Sequence, residues 1–213
     1  MSMRIEDLIR QYNARRDDLD KQGAYFVGDI NPDEAERFSK SMLLMSMERH
    51  GFPDRPLSIY INSGGGTVGA GFAMIEMIQK VRAMYAVKVN TIVTGYAYSM
   101  GATLLQAGDW RTMGYFSTVM IHSGSWNLSG EDEKVFKDYR KLSDLYQNII
   151  SELFARRTGL HNPSWWRRFI YSGRDRFLSA HECLKLGLVD EIANIDSWHL
   201  LQPKAGGPTS LKT

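Results

Sequence analysis

Residues 57–84 have the sequence LSIYINSGGGTVGAGFAMIEMIQKVRAM, and this stretch decides the fold class. Its first six residues form an apolar run that predicts a buried strand. Three glycines interrupt that run, and apolar residues at helical spacing follow as far as Met84. A strand, a glycine turn and a helix make up most of a βαβ crossover, so the stretch predicts a parallel sheet.

The same order of elements is predicted at the start of the chain. The apolar run AYFVG predicts a short strand, and the segment NPDEAERF follows it. Asn31 stands at the N-cap of the next helix, with Pro32 at its first position and Glu34 at its third. This helix is predicted to extend to about Gly51.

The alternation of strands and helices continues downstream. VKVNTIVTG and STVMIH predict strands, and SMGATLLQAG predicts a helix between them. A long charged helix is predicted over residues 130–159, with Gly159 as its C-cap. In SAHECLKLGLVDEI, Ser179 and Glu182 have capping-box spacing, Gly187 stops the helix, and LVDEI predicts a last short strand. The pattern indicates an α/β protein with a mainly parallel sheet.

Length and composition set the number of domains. The chain has 213 residues, of which 43% are hydrophobic, and this is enough to bury one good core. We expect a single domain over residues 1–200 and a flexible tail over residues 201–213. An amphipathic helix is predicted within residues 1–20 from apolar residues at i, i+3, i+4 and i+7. These residues are Ile5, Leu8, Ile9 and Tyr12.

Charge, cysteine content and hydropathy disfavour several classes of function. The formal net charge is +2, so no global field favours nucleic acid or an anionic membrane, and we expect a small-molecule or peptide ligand. Cys183 is the only cysteine, which rules out an internal disulfide and disfavours a cysteine-based metal site. No apolar run approaches the roughly 20 residues that cross a bilayer. We therefore expect a soluble cytoplasmic protein.

Two junctions between a strand and a helix carry the candidate chemistry. In INSGGG, consecutive glycines let backbone N–H groups approach an oxyanion, although a bare tight turn explains the same residues equally well. In GYAYSMG, Ser99 stands at a helix N-terminus, where a serine is usually an N-cap. The alternative is a nucleophile at the tip of a sharp turn. Ala97 breaks the GxSxG pattern, so the local motif leaves both roles open.

A serine nucleophile needs a base and an acid that orients the base. His122 ends the apolar segment TVMIH, which predicts a position at the carboxyl end of a strand, near the same crevice. The other histidines have polar helix or loop contexts: His50, His161, His181 and His199. Asp175 lies between two arginines in SGRDRFLSA and is the candidate acid, although a solvated turn also explains this alternation of charge.

Four segments, in this order, resemble the signature segments of ClpP, the proteolytic subunit family of the Clp protease. They are SIYINSGGGTVGAGFAMIEMIQ, GYAYSMGATLLQAG, VMIH and RDRFLSAHECLKLGLVDEI, and they span about residues 57–192. The resemblance implies a crotonase-like α/β fold of repeated βαβ units. It also implies a protruding helical handle over about residues 123–160 and serine endopeptidase activity on unfolded polypeptides.

The resemblance also implies a role for each site residue. Ser99 corresponds to the nucleophile, His122 to the general base, and Asp175 to the acid that orients the base. The oxyanion hole corresponds to the backbone N–H groups of Gly66 and Met100. Substrate binding is implied for Gly65, Ser123 and Gly124. The family mechanism needs no metal and no bound cofactor.

The family assembles into stacked rings, usually two heptamers, and an AAA+ unfoldase that uses ATP feeds it polypeptides. The sequence departs from this family at several places. HSGSWNLSG stands where HQP is common, and Gly64 replaces a proline of the glycine loop. Tyr60 keeps one aromatic position of the unfoldase-docking pockets, whereas Ser58, Thr94 and Thr112 replace others. These departures indicate a divergent member, and a phage-type protease of capsid maturation is one alternative.

Three further alternatives come from other functional classes. An acyl-CoA enzyme of the crotonase fold would also use backbone N–H groups to hold an oxyanion, but it would need acidic catalysts. A catalytically silent ring subunit would share the fold without activity. Nucleic-acid binding through WWRRF, residues 165–169, is disfavoured because such a short helix more often packs against a core edge.

Overall fold

The computed structural model describes residues 22–52, 54–124 and 133–193. The predicted N-terminal helix, residues 125–132 of the predicted handle and the predicted C-terminal tail lie outside the described residues. The elements in chain order are β1 (Ala24–Val27), α1 (Pro32–Glu48), β2 (Leu57–Ser63), α2 (Val68–Tyr85), β3 (Val89–Tyr98), α3 (Met100–Leu105), β4 (Trp110–Gly114), β5 (Thr118–Ile121), α4 (Glu133–Thr158), α5 (Pro163–Ile170), β6 (Arg176–Ser179), α6 (Ala180–Lys185) and β7 (Glu191–Ala193).

The strands form one sheet in which almost all neighbours are parallel. Five strands follow the order β1-β2-β3-β4-β7, and each of these pairs is parallel. β5 lies off this path, where it pairs with β3 in parallel and with β6 in antiparallel orientation. The predicted α/β class with a mainly parallel sheet is therefore confirmed. The alternation of elements follows from this topology, since parallel neighbours need crossover connections.

The predicted start of α1 is confirmed by its cap. Glu34 N donates to Asn31 Oδ1 at 2.9 Å, and Pro32 opens the helix. Pro32 costs nothing there, because an N–H at that position would have no partner within the helix. α1 ends at Glu48, somewhat before the predicted end at about Gly51.

The predicted start of α6 and the predicted stops of α4 and α6 are also observed. Ser179 and Glu182 form a capping box in which each side chain accepts from the other residue's backbone N–H. Gly159 and Gly187 follow α4 and α6 at φ +66°, the left-handed conformation that glycine adopts without strain.

Strand β4 was missed at the sequence level. Its segment WRTMG buries Arg111 and Met113 while Trp110 is 49% exposed. A buried arginine hides the alternation, because apolar periodicity counts it as a solvent-facing residue. β3 also extends beyond the predicted segment and ends at Tyr98.

Arg111 is buried because its charge and its donors are paired. Its Nη2 donates to Asp190 Oδ1 at 2.6 Å, its Nε donates to Asp190 Oδ2 at 3.0 Å, and its Nη1 donates to Gln106 Oε1 at 2.6 Å. Burial acts to raise the pKa of Asp190, but the hydrogen bonds and charge of Arg111 outweigh it, so the pKa lies below its ordinary value. This pair joins β4 to the segment that enters β7.

One hydrophobic core joins the sheet to the helices. Leu57, Ile59 and Ile61 alternate along β2 and are fully buried. They belong to the same core as fully buried residues of α1 and α2, namely Phe38, Met42, Met74 and Ile78. Full burial of each such side chain contributes about 1.5–3 kcal/mol to stability.

Helix α4 lies within the segment for which a handle is predicted. It has 26 residues, so its length is about 39 Å. Its buried residues, Ile150, Ser151 and Phe154, lie toward its C-terminal end. In the part of the chain that the structure describes, no helix is both long and apolar enough to span a membrane.

Asp190→Asn is expected to lower the free energy of unfolding by about 1–3 kcal/mol, because the buried Arg111 charge loses its carboxylate. The pKa of Asp190 is lowered on folding, so its stabilisation is present above the unfolded pKa and is lost as pH falls through the folded pKa. Urea unfolding of both proteins, from neutral pH to below 3.8, should therefore show a difference that shrinks with acid.

Asp144→Asn is the matched control, since Asp144 pairs with Arg167 on an exposed surface. This variant should lose less than about 1 kcal/mol. Equal losses in the two variants, or a difference between wild type and Asp190→Asn that is independent of pH, would contradict the role assigned to the buried pair.

Candidate active site

Ser99 occupies a strained turn between β3 and α3. Its backbone has φ +54° and ψ −119°, which a residue with a side chain adopts only when its surroundings impose it. Ser99 N donates to Met120 O at 2.8 Å, which ties the turn to β5. The side chain makes no capping hydrogen bond to α3, so the hydroxyl does not serve as a helix cap.

His122 lies beside this hydroxyl. It follows directly after β5, and its Nε2 is 2.8 Å from Ser99 Oγ, within hydrogen-bond distance. The parallel pairing of β3 with β5 brings the carboxyl ends of the two strands together, and Tyr98 is the register partner of Met120. The expected meeting of serine and histidine at one sheet edge is therefore observed.

Asp175 reaches His122 through the antiparallel pair β5 and β6. Ile121 pairs with Arg176 at the last position of this ladder, so the next residue of each strand is His122 and Asp175. Their Nδ1 and Oδ1 atoms are 3.6 Å apart, which is longer than a hydrogen bond. The Asp175 side chain is 60% exposed, so the structure brings the acid beside the base without a hydrogen bond between them.

The glycine loop directs one backbone donor into the cleft. Ile30 N donates to Gly65 O, and Thr67 N donates to Ile30 O, both at 2.9 Å. Since the C=O and N–H of a trans peptide point in opposite directions, Gly66 N–H points away from Ile30. Gly66 also lines the cavity that contains Ser99.

Met100 supplies a second donor by the same geometry. Thr103 N donates to Ser99 O at 3.2 Å, so the C=O of Ser99 points along α3. The N–H of Met100 belongs to the same peptide unit and points out of the start of the helix. Met100 lines the same cavity as Gly66.

The remaining loop residues support or border the cleft. Gly65 has φ +101°, and a Cβ there would lie 2.7 Å from Ser99 Cβ, so glycine is needed for the loop to touch the serine. Gly64 has open space around it and no positive φ. Ser123 and Gly124 continue from His122 along the cavity wall, and Gly124 has φ +70°.

A comparison with protein families matches this chain to the Clp protease over residues 9–196. The chain belongs to the Clp protease family. The crotonase-like α/β fold implied by the four sequence segments is thereby confirmed, and the chain is placed in a peptidase family. Clp proteases generally form oligomeric rings that pair with unfoldases.

In this Clp protease, Ser99 and His122 line a cavity of about 590 Å³. The far wall of this cavity comes from α4, the end of α5 and the residue after it: Leu142, Ser143, Tyr146, Gln147, Ile150, Phe154, Ile170 and Tyr171. Sequence analysis did not assign these residues to the site. Leu142, Tyr146, Ile150 and Phe154 follow i, i+4 spacing along α4, and this was the available signal.

Polar groups in this wall are neutral. Burial raises the pKa of Tyr171 to about 12, and the nearby charge of Arg167 opposes this only in part. Tyr146 meets Phe72 edge to face, with ring centroids 5.4 Å apart, so α4 is fixed to α2 across the cavity. The pocket can therefore hold an apolar side chain but offers no charge to a charged one.

The other histidines lie in different surroundings. His161 stacks on Trp165, His181 packs against Tyr115, and His50 Nδ1 lies 3.3 Å from Tyr85 O. His199 is outside the described residues. Among the residues that are described, no group of three His, Cys, Asp or Glu side chains could hold a metal ion.

Gly66→Ala is expected to destabilise the protein by about 1–3 kcal/mol, because the added Cβ would lie 1.8 Å from Ile30 O and φ is +151°. Gly64→Ala adds the same methyl group two residues away in open space and should change stability by less than about 0.5 kcal/mol. Thermal unfolding of the two variants measures both effects. Equal shifts would contradict the contact between the loop and Ile30.

Proposed function

We propose that the protein is a serine endopeptidase of the ClpP type in which Ser99 is the nucleophile, His122 the general base and Asp175 the orienting acid. The observation that carries this proposal is the 2.8 Å contact between Ser99 Oγ and His122 Nε2. It occurs at a strained turn whose hydroxyl has no capping role. Strain of this kind is retained where function requires it.

The first half of the reaction forms an acyl-enzyme. With the imidazole proton on Nδ1, His122 Nε2 accepts the proton of Ser99 as Oγ attacks the scissile carbonyl carbon. The carbonyl π electrons move to oxygen, and His122 then donates its new proton to the leaving amine as the C–N bond breaks. In the second half, water loses a proton to His122 and attacks the ester carbon. The tetrahedral intermediate then expels Ser99 Oγ, which takes that proton from His122, and the released carboxylic acid ionises in solution.

The oxyanion of each tetrahedral intermediate lies between the N–H groups of Gly66 and Met100. Both N–H groups are directed by peptides whose carbonyl oxygens accept hydrogen bonds elsewhere, so the donors are oriented before substrate binds. Removing one such donor typically costs about 10²–10³ in kcat.

Asp175 completes the catalytic unit by a small movement. Its carboxylate must approach His122 Nδ1 by roughly 0.7 Å from the observed 3.6 Å to accept a hydrogen bond. Catalytic hydrogen bonds commonly tighten only when substrate is bound. In that position Asp175 holds the Nδ1–H tautomer and stabilises the imidazolium.

The substrate is a polypeptide that passes over the glycine loop and the segment after β5. Ser123 and Gly124 line the cleft and expose backbone to an extended chain, and Gly65 packs against Ser99 at its edge. The side chain before the scissile bond enters the cavity between α3, α4 and α5. Because that wall is mainly apolar and its polar groups carry no charge, an apolar side chain is favoured there.

Assembly into rings and pairing with an unfoldase are part of the same proposal. Large apolar side chains such as Phe116 and Phe177 are 70% and 60% exposed on the described surface, as a subunit interface would require. Stacked heptameric rings and an AAA+ partner that alone uses ATP are carried over from the family resemblance, and a cytoplasmic location from the composition of the sequence. The proposed chemistry uses no metal and no cofactor.

Ser99→Ala tests the nucleophile directly. A fluorophosphonate probe should add once to the wild-type protein and not at all to the variant, because only an activated serine reacts. Intact-mass analysis measures the adduct, and size-exclusion chromatography of both proteins controls for assembly. An adduct on Ser99→Ala would refute the assignment, and no adduct on assembled wild type would favour the silent ring subunit.

Peptide substrates test the apolar cavity. Substrates that differ only in the residue before the scissile bond should show kcat/KM values at least about tenfold higher for Leu or Met than for Asp or Lys. The reason is that Tyr146 and Leu142 offer apolar surface and no counter-charge. Ser99→Ala serves as the blank, and equal rates for charged and apolar residues would contradict the assigned pocket.

A further inference from the structure

The Arg176 side chain links the two ends of the loop that carries Asp175. This loop, residues 171–175, joins α5 to β6. Arg176 Nε donates to the carbonyl oxygen of Phe169 at 2.7 Å, and Arg176 Nη2 donates to Ser172 Oγ at 3.3 Å. The guanidinium carbon lies 4.3 Å from the centroid of the Phe169 ring, a cation–π contact. The two ends of the loop are thereby fastened together.

Helix α5, which carries Phe169, is itself held by aromatic packing. Phe169 stacks on Trp165 with centroids 4.8 Å apart, and Trp165 stacks on His161 at 3.7 Å. On the core side of the same helix, Trp166 is fully buried, and its Nε1 donates to Thr158 Oγ1 at 3.2 Å. α5 is therefore anchored to the end of α4, and Arg176 transmits that anchor to the loop.

The backbone of Arg176 is fixed on its other side by the sheet. It is the partner of Ile121 at the last position of the β5–β6 ladder. Asp175 comes one residue beyond that ladder, with a side chain that is 60% exposed and 3.6 Å from His122. Since packing leaves the carboxylate so exposed, its place depends on how the backbone at Arg176 is held.

We propose that Arg176 is a positioning residue that holds Asp175 in reach of His122. The acceptors of Arg176 are a carbonyl and a hydroxyl, which leaves the Asp175 carboxylate to the imidazole. This inference rests on the proposed serine peptidase function and adds a residue outside its catalytic unit. The guanidinium acts through the loop and does not touch the substrate.

Arg176→Gln in the full chain tests the proposal, with Arg168→Gln as the matched control. Arg168 is an exposed arginine of α5, the helix to which Arg176 bonds, so its removal changes the charge equally. In hydrolysis of a fluorogenic peptide, Arg176→Gln should lower kcat by about ten- to a hundredfold with KM nearly unchanged, because a misplaced acid affects only the transition state. Arg168→Gln should retain wild-type kcat.

A second background separates positioning from general damage. When Asp175→Ala is already present, Arg176→Gln should lower kcat by no more than about twofold, because the residue through which it acts is gone. An unchanged kcat in Arg176→Gln, or the same fall in both backgrounds, would overturn the proposal.

Milder variants keep the test decisive if Arg176→Gln unfolds, which thermal unfolding would show. Arg176→Lys retains one donor and should recover part of kcat, while Ser172→Ala removes one acceptor and should cost about two- to tenfold. Wild-type kcat in both would overturn the inference. Fluorophosphonate labelling distinguishes the two levels: an unlabelled wild type refutes the peptidase function, whereas equal labelling rates in wild type and Arg176→Gln refute the role of Arg176 alone.

Discussion

The site depends on strand β5, which pairs with β3 on one side and β6 on the other. The parallel pair brings Ser99 to His122, and the antiparallel pair brings Asp175 to the same imidazole. The hydrogen bond from Ser99 N to Met120 O continues the first pairing into the turn. Three residues that lie far apart in the sequence meet because one short strand has two partners. A shift of one residue in either register would move the histidine to the opposite face of the sheet.

A second constraint is the close approach of the glycine loop to the end of the first βα unit. Ile30 bonds the loop on both sides of Gly66, and this orients the Gly66 N–H. No residue with a Cβ fits at Gly66, whereas Gly64 is free of such contacts. The departure from the family pattern at Gly64 therefore falls on the one glycine of the three that does not hold the loop in place.

Two carboxylates of the structure differ in how firmly they are held. Asp190 accepts two hydrogen bonds from the buried Arg111 side chain, and this fixed pair belongs to the core. Asp175 is exposed and stands just beyond hydrogen-bond distance of His122. A fixed pair resists movement, whereas an exposed carboxylate held only by its loop can approach and withdraw as the imidazole changes charge.

The sequence by itself determined the class of fold and the candidate residues, because strand and helix periods, caps and glycine turns are local properties of the chain. It identified Ser99, His122 and Asp175 individually, while local motifs left their roles open. It missed β4, since Arg111 is buried only by virtue of Asp190, far away in sequence. It also missed the cavity wall on α4, because the i, i+4 spacing of apolar residues along that helix does not show which part of the chain they face. Only the tertiary structure decided the strained turn at Ser99, the exposed position of the Asp175 carboxylate and the hydrogen bonds of Arg176 across its loop. Each depends on contacts between segments that no local pattern encodes.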